Sequence, residues 1–108
     1  MNPNSVYEKL VGVGTDWADK EQAANLLEGT LKSVKAKIAI QHKDCGMSVA
    51  ESELRAECDF EYKEARELAI KARTEAIKAK VVYQAAQAFI NAWRTVEATQ
   101  RAANLAQV

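Results

Sequence analysis

Cations recur at seven-residue spacing along the C-terminal half of this 108-residue sequence, beside a row of alanines. Regularly spaced cations suit the phosphates of a nucleic acid, so this basic row is a candidate binding track. The spacing is also typical of ion pairs beside packed helices, because Glu21 and Glu28 would stand on the side that meets Arg94 and Arg101. Both interpretations stay open. The basic row comprises Arg66, Arg73, Lys80, Arg94 and Arg101, with the uncharged Gln87 at one position of the repeat.

Few residues are of the types that catalysis or metal binding requires. His42, Cys45 and Cys58 are three potential metal ligands, but their spacing matches no strong zinc pattern. The carboxylates from Glu51 to Glu67 do not complete a di-metal site, because that site needs Glu-x-x-His pairs and His42 is the only histidine. No glycine-rich phosphate loop or nucleophile motif is present. We therefore expect no enzyme activity, cofactor, metal or small-molecule substrate.

Three aromatic residues accompany the basic row. Tyr83, Phe89 and Trp93 could stack on nucleic-acid bases, but their positions fit a packed helix better, so we expect them mainly in a core. The neighbouring pair Trp93 and Arg94 is more suggestive of binding, because aromatic residues and arginine anchor many interfaces.

Charge is balanced overall but divided along the chain. The formal net charge is zero. Residues 1–69 carry nine Lys/Arg and thirteen Asp/Glu, a net −4, whereas residues 70–108 carry six and two, a net +4. This asymmetry is typical either of a polyanion-binding end or of two helices paired head to tail. Because no signal peptide, membrane-spanning run or dense cysteine framework is visible, we expect a cytoplasmic location.

Helix breakers are confined to the first part of the chain, since all four glycines and the single proline precede residue 47. The sequence therefore predicts one all-α domain over 1–108. It would comprise a flexible or docking lead over 1–14, helix 1 over 16–43, a short connecting helix over 48–57 and a long helix over 59–104. Helix 1 and the long helix would form a long antiparallel hairpin resembling a coiled coil.

Local signals mark the ends of these helices. Gly46 suits the left-handed residue that ends helix 1, and Ser48 and Asp59 suit the capping positions of the two helices that follow. Gly29 lies inside helix 1, where an interior glycine often marks a close helix contact.

Two apolar seams predict how the hairpin packs. An antiparallel arrangement would place Trp17 near Trp93 and Leu31 near Ala79, so that large side chains meet small ones. The seam of helix 1 comprises Trp17, Ala24, Leu31, Ile38 and Cys45 at seven-residue spacing, with Lys20, Leu27, Val34 and Gln41 between them. The seam of the long helix comprises Ala65, Ala69, Ala72, Ala76, Ala79, Tyr83, Ala86, Ile90 and Trp93.

The long helix is apolar on more sides than one companion helix covers, most clearly over residues 81–93 (VVYQAAQAFINAW). In a protein of two long helices the additional cover would come from other subunits, so we expect a homo-oligomeric helical bundle. The alternative is that residues 1–14 fold back over this surface. The expected oligomer interface comprises Ile77, Val81, Val82, Phe89, Trp93 and Val96.

Four segments between residues 20 and 103 resemble the layout of phage UvsY-like recombination mediators. They are LKSVKAKIAI in helix 1, GMSVAESE at the connector, CDFEYKEARELAIKARTEAIKAK at the start of the long helix and FINAWRTVEATQRAA near its end. The resemblance implies an oligomer in a bacterial cytoplasm that binds single-stranded DNA, displaces the single-strand binding protein and helps to load a recombinase. The basic positions that match are Lys35, Lys37, Lys71, Lys78, Lys80, Arg94 and Arg101.

Two functions are therefore expected as alternatives. The first is a phage-type accessory protein that binds single-stranded DNA as an oligomer and acts in recombination. The second is a non-catalytic structural or protein-interaction module, such as a virion component, chaperone or inhibitor, which grips its partner through an apolar helix face.

Overall fold

The computed structural model describes residues 2–107 and contains three α-helices over that range. α1 is Pro3–Asp44, α2 is Val49–Glu57 and α3 is Phe60–Ala106. α1 and α3 pack against each other along most of their length, while α2 lies mainly against α1 at the closed end. The resulting rod measures 87 × 21 × 14 Å. The predicted all-α hairpin is confirmed, and residues 1 and 108 of the predicted domain lie outside the described residues.

The N-terminal segment is helical, so the prediction of an irregular or flexible lead over 1–14 is wrong for the residues described. α1 begins at Pro3 instead of near residue 16. The Asn2 side chain caps it by accepting a hydrogen bond from the Asn4 backbone N–H at 3.0 Å. Proline is tolerated in the first turn because its missing N–H has no intrahelical partner there. The early proline therefore starts the helix.

Packing against α3 holds this early part of α1 in the helix despite two glycines. Gly12 and Gly14 each cost about 1 kcal/mol relative to alanine in a helix interior. Val6 is buried and Leu10 is half-buried, and both contribute to the α1–α3 contact. They extend the seam of α1 toward the N-terminus with the same four-and-three spacing that leads to Trp17.

The connector follows the predicted capping pattern. Gly46 has φ +92°, the left-handed conformation expected of a glycine after a helix. The Ser48 hydroxyl accepts from the Glu51 N–H at 3.2 Å, and the Asp59 carboxylate accepts from the Glu61 N–H at 2.8 Å. α2 and α3 therefore begin within one residue of their predicted starts.

The seam predicted for α3 is confirmed, and its small side chains give the rod a thin core. Ala69, Ala76, Ala79 and Ile90 are buried, and the other five seam residues are half-buried. The seam of α1 follows the prediction from Trp17 to Ile38, but Cys45 lies beyond the helix end and is exposed. The buried apolar residues of the described chain are Val6, Ala24, Ile38, Ala56, Ala69, Ala76, Ala79 and Ile90.

The predicted register of the hairpin is wrong by about three helical turns. Trp17 packs on Tyr83, with ring centroids 5.3 Å apart, and not beside Trp93. The predicted pairing of Leu31 with Ala79 is wrong for the same reason, since Glu28, one turn before Leu31, binds Arg73. The register differs because α1 begins early. Its first turns pack on the C-terminal part of α3, where Trp17 had been expected.

The close helix contact lies at Gly14 and not at Gly29, contrary to prediction. A Cβ atom added at Gly14 would lie 3.2 Å from Cε2 of Tyr83, whereas one added at Gly29 would meet no atom within 4 Å. Gly14 thus leaves room for the ring of Tyr83 beside Trp17.

None of the three helices in the described range combines the length and apolar character needed to cross a bilayer.

Candidate interaction surface

The two long edges where α1 meets α3 differ in chemistry. One edge, which we call the charged flank, carries Glu21, Glu28 and Arg73. Arg73 Nη1 lies 2.8 Å from Glu21 Oε1, and its Nε lies 2.7 Å from Glu28 Oε1. Asn25 accepts a further hydrogen bond from Arg73 Nη2 at 2.9 Å. One arginine of α3 thus joins three polar side chains of α1.

This network corrects the predicted partners of the two glutamates. Glu21 and Glu28 were expected to meet Arg94 and Arg101, but both bind Arg73 because the register is shifted. The hydrogen bonds from Arg73 lower the pKa of Glu28 below its ordinary value; its partial desolvation opposes this and the positive charges of Arg73 and Lys32 reinforce it. Arg73 of the basic row therefore forms ion pairs with α1, although Arg94 and Arg101 were the predicted partners.

The rest of the basic row has varied surroundings. Lys80 Nζ lies 6.0 Å from the centre of the Trp17 ring, and the Arg94 guanidinium lies 5.1 Å from that of Tyr7. Both contacts are of the cation–π type. Arg66 and Arg101 are exposed. Lys80, Arg94 and Arg101 form no ion pair among residues 2–107.

The seven residues predicted to bind nucleic acid do not form one patch. Lys35 binds Glu57 at 2.9 Å near the closed end. Because Glu57 ends α2 three residues before the start of α3, Lys35 is separated from Arg101 by some 40 residues of helix, or about 60 Å. Lys78 lies 3.6 Å from Glu75, while Lys37 and Lys71 are exposed. Arg94 and Arg101 both line one cleft at the open end of the hairpin.

That cleft, which we call the end cleft, is open and lies where α1 begins and α3 nears its end. Its volume is about 380 Å³, and it combines Tyr7 and Trp93 with Arg94 and Arg101. The sequence did not predict Tyr7 as part of a site, because residues 1–14 were assigned to an irregular lead. Tyr7 lies seven positions before Gly14, on the charged side of α1. If the helix had been predicted to begin at Pro3, Tyr7 would have been recognised as a neighbour of α3. The lining comprises Pro3, Tyr7, Trp93, Arg94, Glu97, Ala98 and Arg101.

The opposite edge of the hairpin is apolar. Val82, Phe89 and Val96 recur every seven residues there and are 53%, 57% and 52% exposed. Ala85 and Ala92 lie one turn from these side chains on the same face and are also exposed. We call these five residues the apolar flank. No charged residue occurs between Lys80 and Arg94, so this part of α3 presents an uncharged surface about 20 Å long.

An apolar groove continues from this flank toward α1. Its volume is about 490 Å³, and Phe89 forms one of its walls. Val6 and Ile90 at its base are nearly buried, so the N-terminal turns of α1 cover part of the α3 surface. They leave Phe89 exposed, so the alternative that residues 1–14 fold back over this surface holds only for the part around Ile90. The lining comprises Ser5, Val6, Lys9, Leu10, Ala86, Phe89 and Ile90.

The remaining residues of the predicted oligomer interface lie elsewhere. Ile77 and Val81 are exposed on the outer side of α3 together with Ile70, and we call these three residues the outer strip. Trp93 is half-buried and belongs to the seam and to the end cleft, so it lies apart from both exposed surfaces.

The three potential metal ligands are not gathered into a cluster. Cys45 and Cys58 are exposed free thiols. His42 and Cys58 line a shallow depression between α1 and α2 with Leu54, Arg55 and Asp59. Within residues 2–107, no group of three or more His, Cys, Asp or Glu side chains is arranged to hold a metal ion.

Comparison with known proteins identifies no relative. The chain matches no protein-family model, no curated protein and no solved structure.

Proposed function

We propose that this chain is a non-catalytic helical interaction module that assembles with further copies of itself through the apolar flank of α3. The observation that carries the proposal is the exposure of Val82, Phe89 and Val96, aligned at seven-residue spacing beside an open apolar groove. Contiguous exposed apolar surface of this kind marks interaction sites in proteins that are otherwise covered by polar residues. The outer strip supplies a second apolar face for larger assemblies.

The total surface area supports assembly. The described chain exposes 7972 Å², whereas a compact monomer of 11.9 kDa would expose about 5,900 Å². The radius of gyration is 24.0 Å, against about 13 Å for a compact domain of this length. The excess of about 2,000 Å² per chain is larger than the roughly 800 Å² that each partner buries in a standard interface, so one such interface fits within it.

The composition of the core supports assembly as well. Five of the eight buried apolar residues are alanines, which bury little area each. A rod with so thin a core gains stability when a partner covers its exposed apolar faces. We place the protein in the cytoplasm, where a reducing environment suits the exposed free thiols of Cys45 and Cys58.

A matched pair of substitutions tests the proposal. Val82→Asp places a charge within the apolar flank, whereas Val11→Asp places the same charge on an exposed valine of α1. Light scattering coupled to size-exclusion chromatography should show a smaller particle for Val82→Asp and an unchanged one for Val11→Asp. Equal masses for wild type and Val82→Asp would show that the apolar flank does not take part in the assembly.

A second candidate function is single-stranded DNA binding, including the recombination-mediator role that the sequence resemblance implies. The observation favouring it is the end cleft, where the arginines Arg94 and Arg101 adjoin the aromatic rings of Tyr7 and Trp93. Arginine and aromatic side chains together bind the phosphates and bases of single strands. Charge reversal at the two arginines, measured by fluorescence anisotropy with a labelled oligonucleotide, tests this function.

A further inference from the structure

The apolar flank has the spacing of a second packing seam. Its residues are separated alternately by three and four positions, as are those of the seam that packs on α1. The pattern continues to Glu75 and Lys78 on one side and to Thr99 and Ala103 on the other, and all of these residues are exposed. A helix with two such seams can pack on two neighbours at once. In the hairpin, only one of the two seams of α3 is covered.

The residue types along this second seam read the same in both directions. From Val82 to Val96 the order is valine, alanine, phenylalanine, alanine, valine, with Phe89 at the centre. An isologous interface requires a surface that is complementary to itself after a two-fold rotation. When α3 meets a second α3 running in the opposite direction, Val82 faces Val96 and Phe89 faces Phe89, so large residues and alanines stay in matching layers.

We infer that two copies pair antiparallel, with α3 on α3 and a two-fold axis at Phe89, an arrangement that rests on the proposed self-assembly. Phe89 of each copy then enters the apolar groove of the other. Ala85, Ala86 and Ala92 surround Phe89 and leave space for the incoming ring. Alanines at the contact also allow the helices to approach to the lower part of the usual 8–10 Å range.

The area of this interface matches that of a stable dimer. α3 extends 17 residues beyond Phe89 to Ala106, so two antiparallel copies overlap along about 50 Å. The rod is 21 Å wide and 14 Å thick, so each copy covers about 700–1,000 Å² of the other, against about 800 Å² per partner in standard interfaces. The charged residues Glu75 and Lys78 fall at the ends of the contact, where they also pair with each other.

Spin labels at two equivalent positions distinguish this arrangement from a parallel one. Ala88 and Ala102 are exposed, lie fourteen residues apart on the same outer side of α3, and can each be replaced by cysteine in a Cys45→Ser, Cys58→Ser background. In the antiparallel dimer, labels at Ala102 lie at least about 40 Å apart, twice their 13-residue distance from the axis. Labels at Ala88, beside the axis, lie much closer together.

Each outcome of the distance measurement is decisive. A long distance at Ala102 with a short one at Ala88 supports the antiparallel pair. Equal distances at both positions in a particle of dimeric or larger mass overturn it but leave the proposed self-assembly intact. Absence of any distance between copies, together with a monomeric mass, overturns both.

A substitution at the centre of the seam gives a second readout. Phe89→Ala should raise the dissociation constant at least about tenfold, since a central aromatic anchor contributes most to such interfaces. Ile77→Ala removes a similarly exposed side chain from the outer strip and should leave the antiparallel pair unchanged. Equal effects of the two substitutions would contradict a contact centred on Phe89.

Discussion

Arg73 of α3 binds both carboxylate oxygens of Glu28 in α1, with Nε 2.7 Å from Oε1 and Nη2 3.0 Å from Oε2. The two parallel hydrogen bonds fix the distance and the relative position of the helices along the rod. Glu21, one heptad before Glu28, binds the same guanidinium through Nη1. Together with the packing of Trp17 on Tyr83, this contact specifies the register of the hairpin, which the alanines of the seam leave undetermined because they are alike.

The hydrogen bonds to Glu28 predict acid sensitivity. Since the pKa of Glu28 is below its ordinary value of 4.5 in the folded chain, the unfolded chain binds more protons between that lowered pKa and 4.5. Stability therefore falls as the pH falls through this window and is fully present above it. Urea unfolding at several pH values should show this loss in wild type and a smaller loss in Glu28→Gln.

A second carboxylate serves as the control for that measurement. Glu8 is exposed and forms no ion pair within residues 2–107, so Glu8→Gln should retain the acid-induced loss seen in wild type. Identical pH profiles for Glu28→Gln and wild type would show that the contact with Arg73 does not contribute to the pH dependence.

The glycines of α1 predict responses of unequal size to the same substitution. Gly12 and Gly29 have no atom within 4 Å of an added Cβ, so alanine at either position should stabilise the protein by roughly 0.5–1 kcal/mol. Gly14→Ala would press its methyl group against Tyr83 at 3.2 Å and should lose most of that gain. Urea unfolding at one fixed protein concentration measures all three. Equal stabilisation by all three substitutions would contradict the close contact at Gly14.

The end cleft predicts how single-stranded DNA binding depends on salt. If the cleft binds DNA, the double charge reversal Arg94→Glu, Arg101→Glu should weaken binding at least about tenfold and reduce the slope of log affinity against log salt by about 1.4, or 0.7 per lost phosphate contact. Arg55→Glu, Arg66→Glu makes the same change in net charge near the closed end. Equal weakening by both pairs, or no binding by wild type at low salt, would exclude the end cleft as a DNA site.

The sequence predicted those parts of the fold that repeat or that depend on short-range chemistry. The four-and-three spacing from Ala65 to Trp93 identified the buried face of α3, and Gly46, Ser48 and Asp59 identified the helix ends. In each case the physical cause lies within a few residues, as with the hydrogen bond from Glu51 to Ser48. Such features can be recognised without knowing what lies across the hairpin.

The start of α1 and the register could not be obtained in the same way. Gly12 and Gly14 lower the intrinsic tendency to form a helix, and the packing of Val6 and Leu10 on α3 offsets this cost. Pro3 was interpreted as a helix breaker, although in the first turn it starts the helix. The missed start of α1 displaced Trp17 by about three turns and gave Glu28 the wrong partner. Tyr7 was absent from the predicted site for the same reason.

The central claim is that the apolar flank of α3 holds copies of this chain together. Sedimentation equilibrium tests it most directly, because the mass it gives does not depend on the elongated shape of the rod. We predict a mass of at least twice the 11.9 kDa of one chain, decreasing toward that of a single chain on dilution. A mass of 11.9 kDa at every concentration would contradict the account.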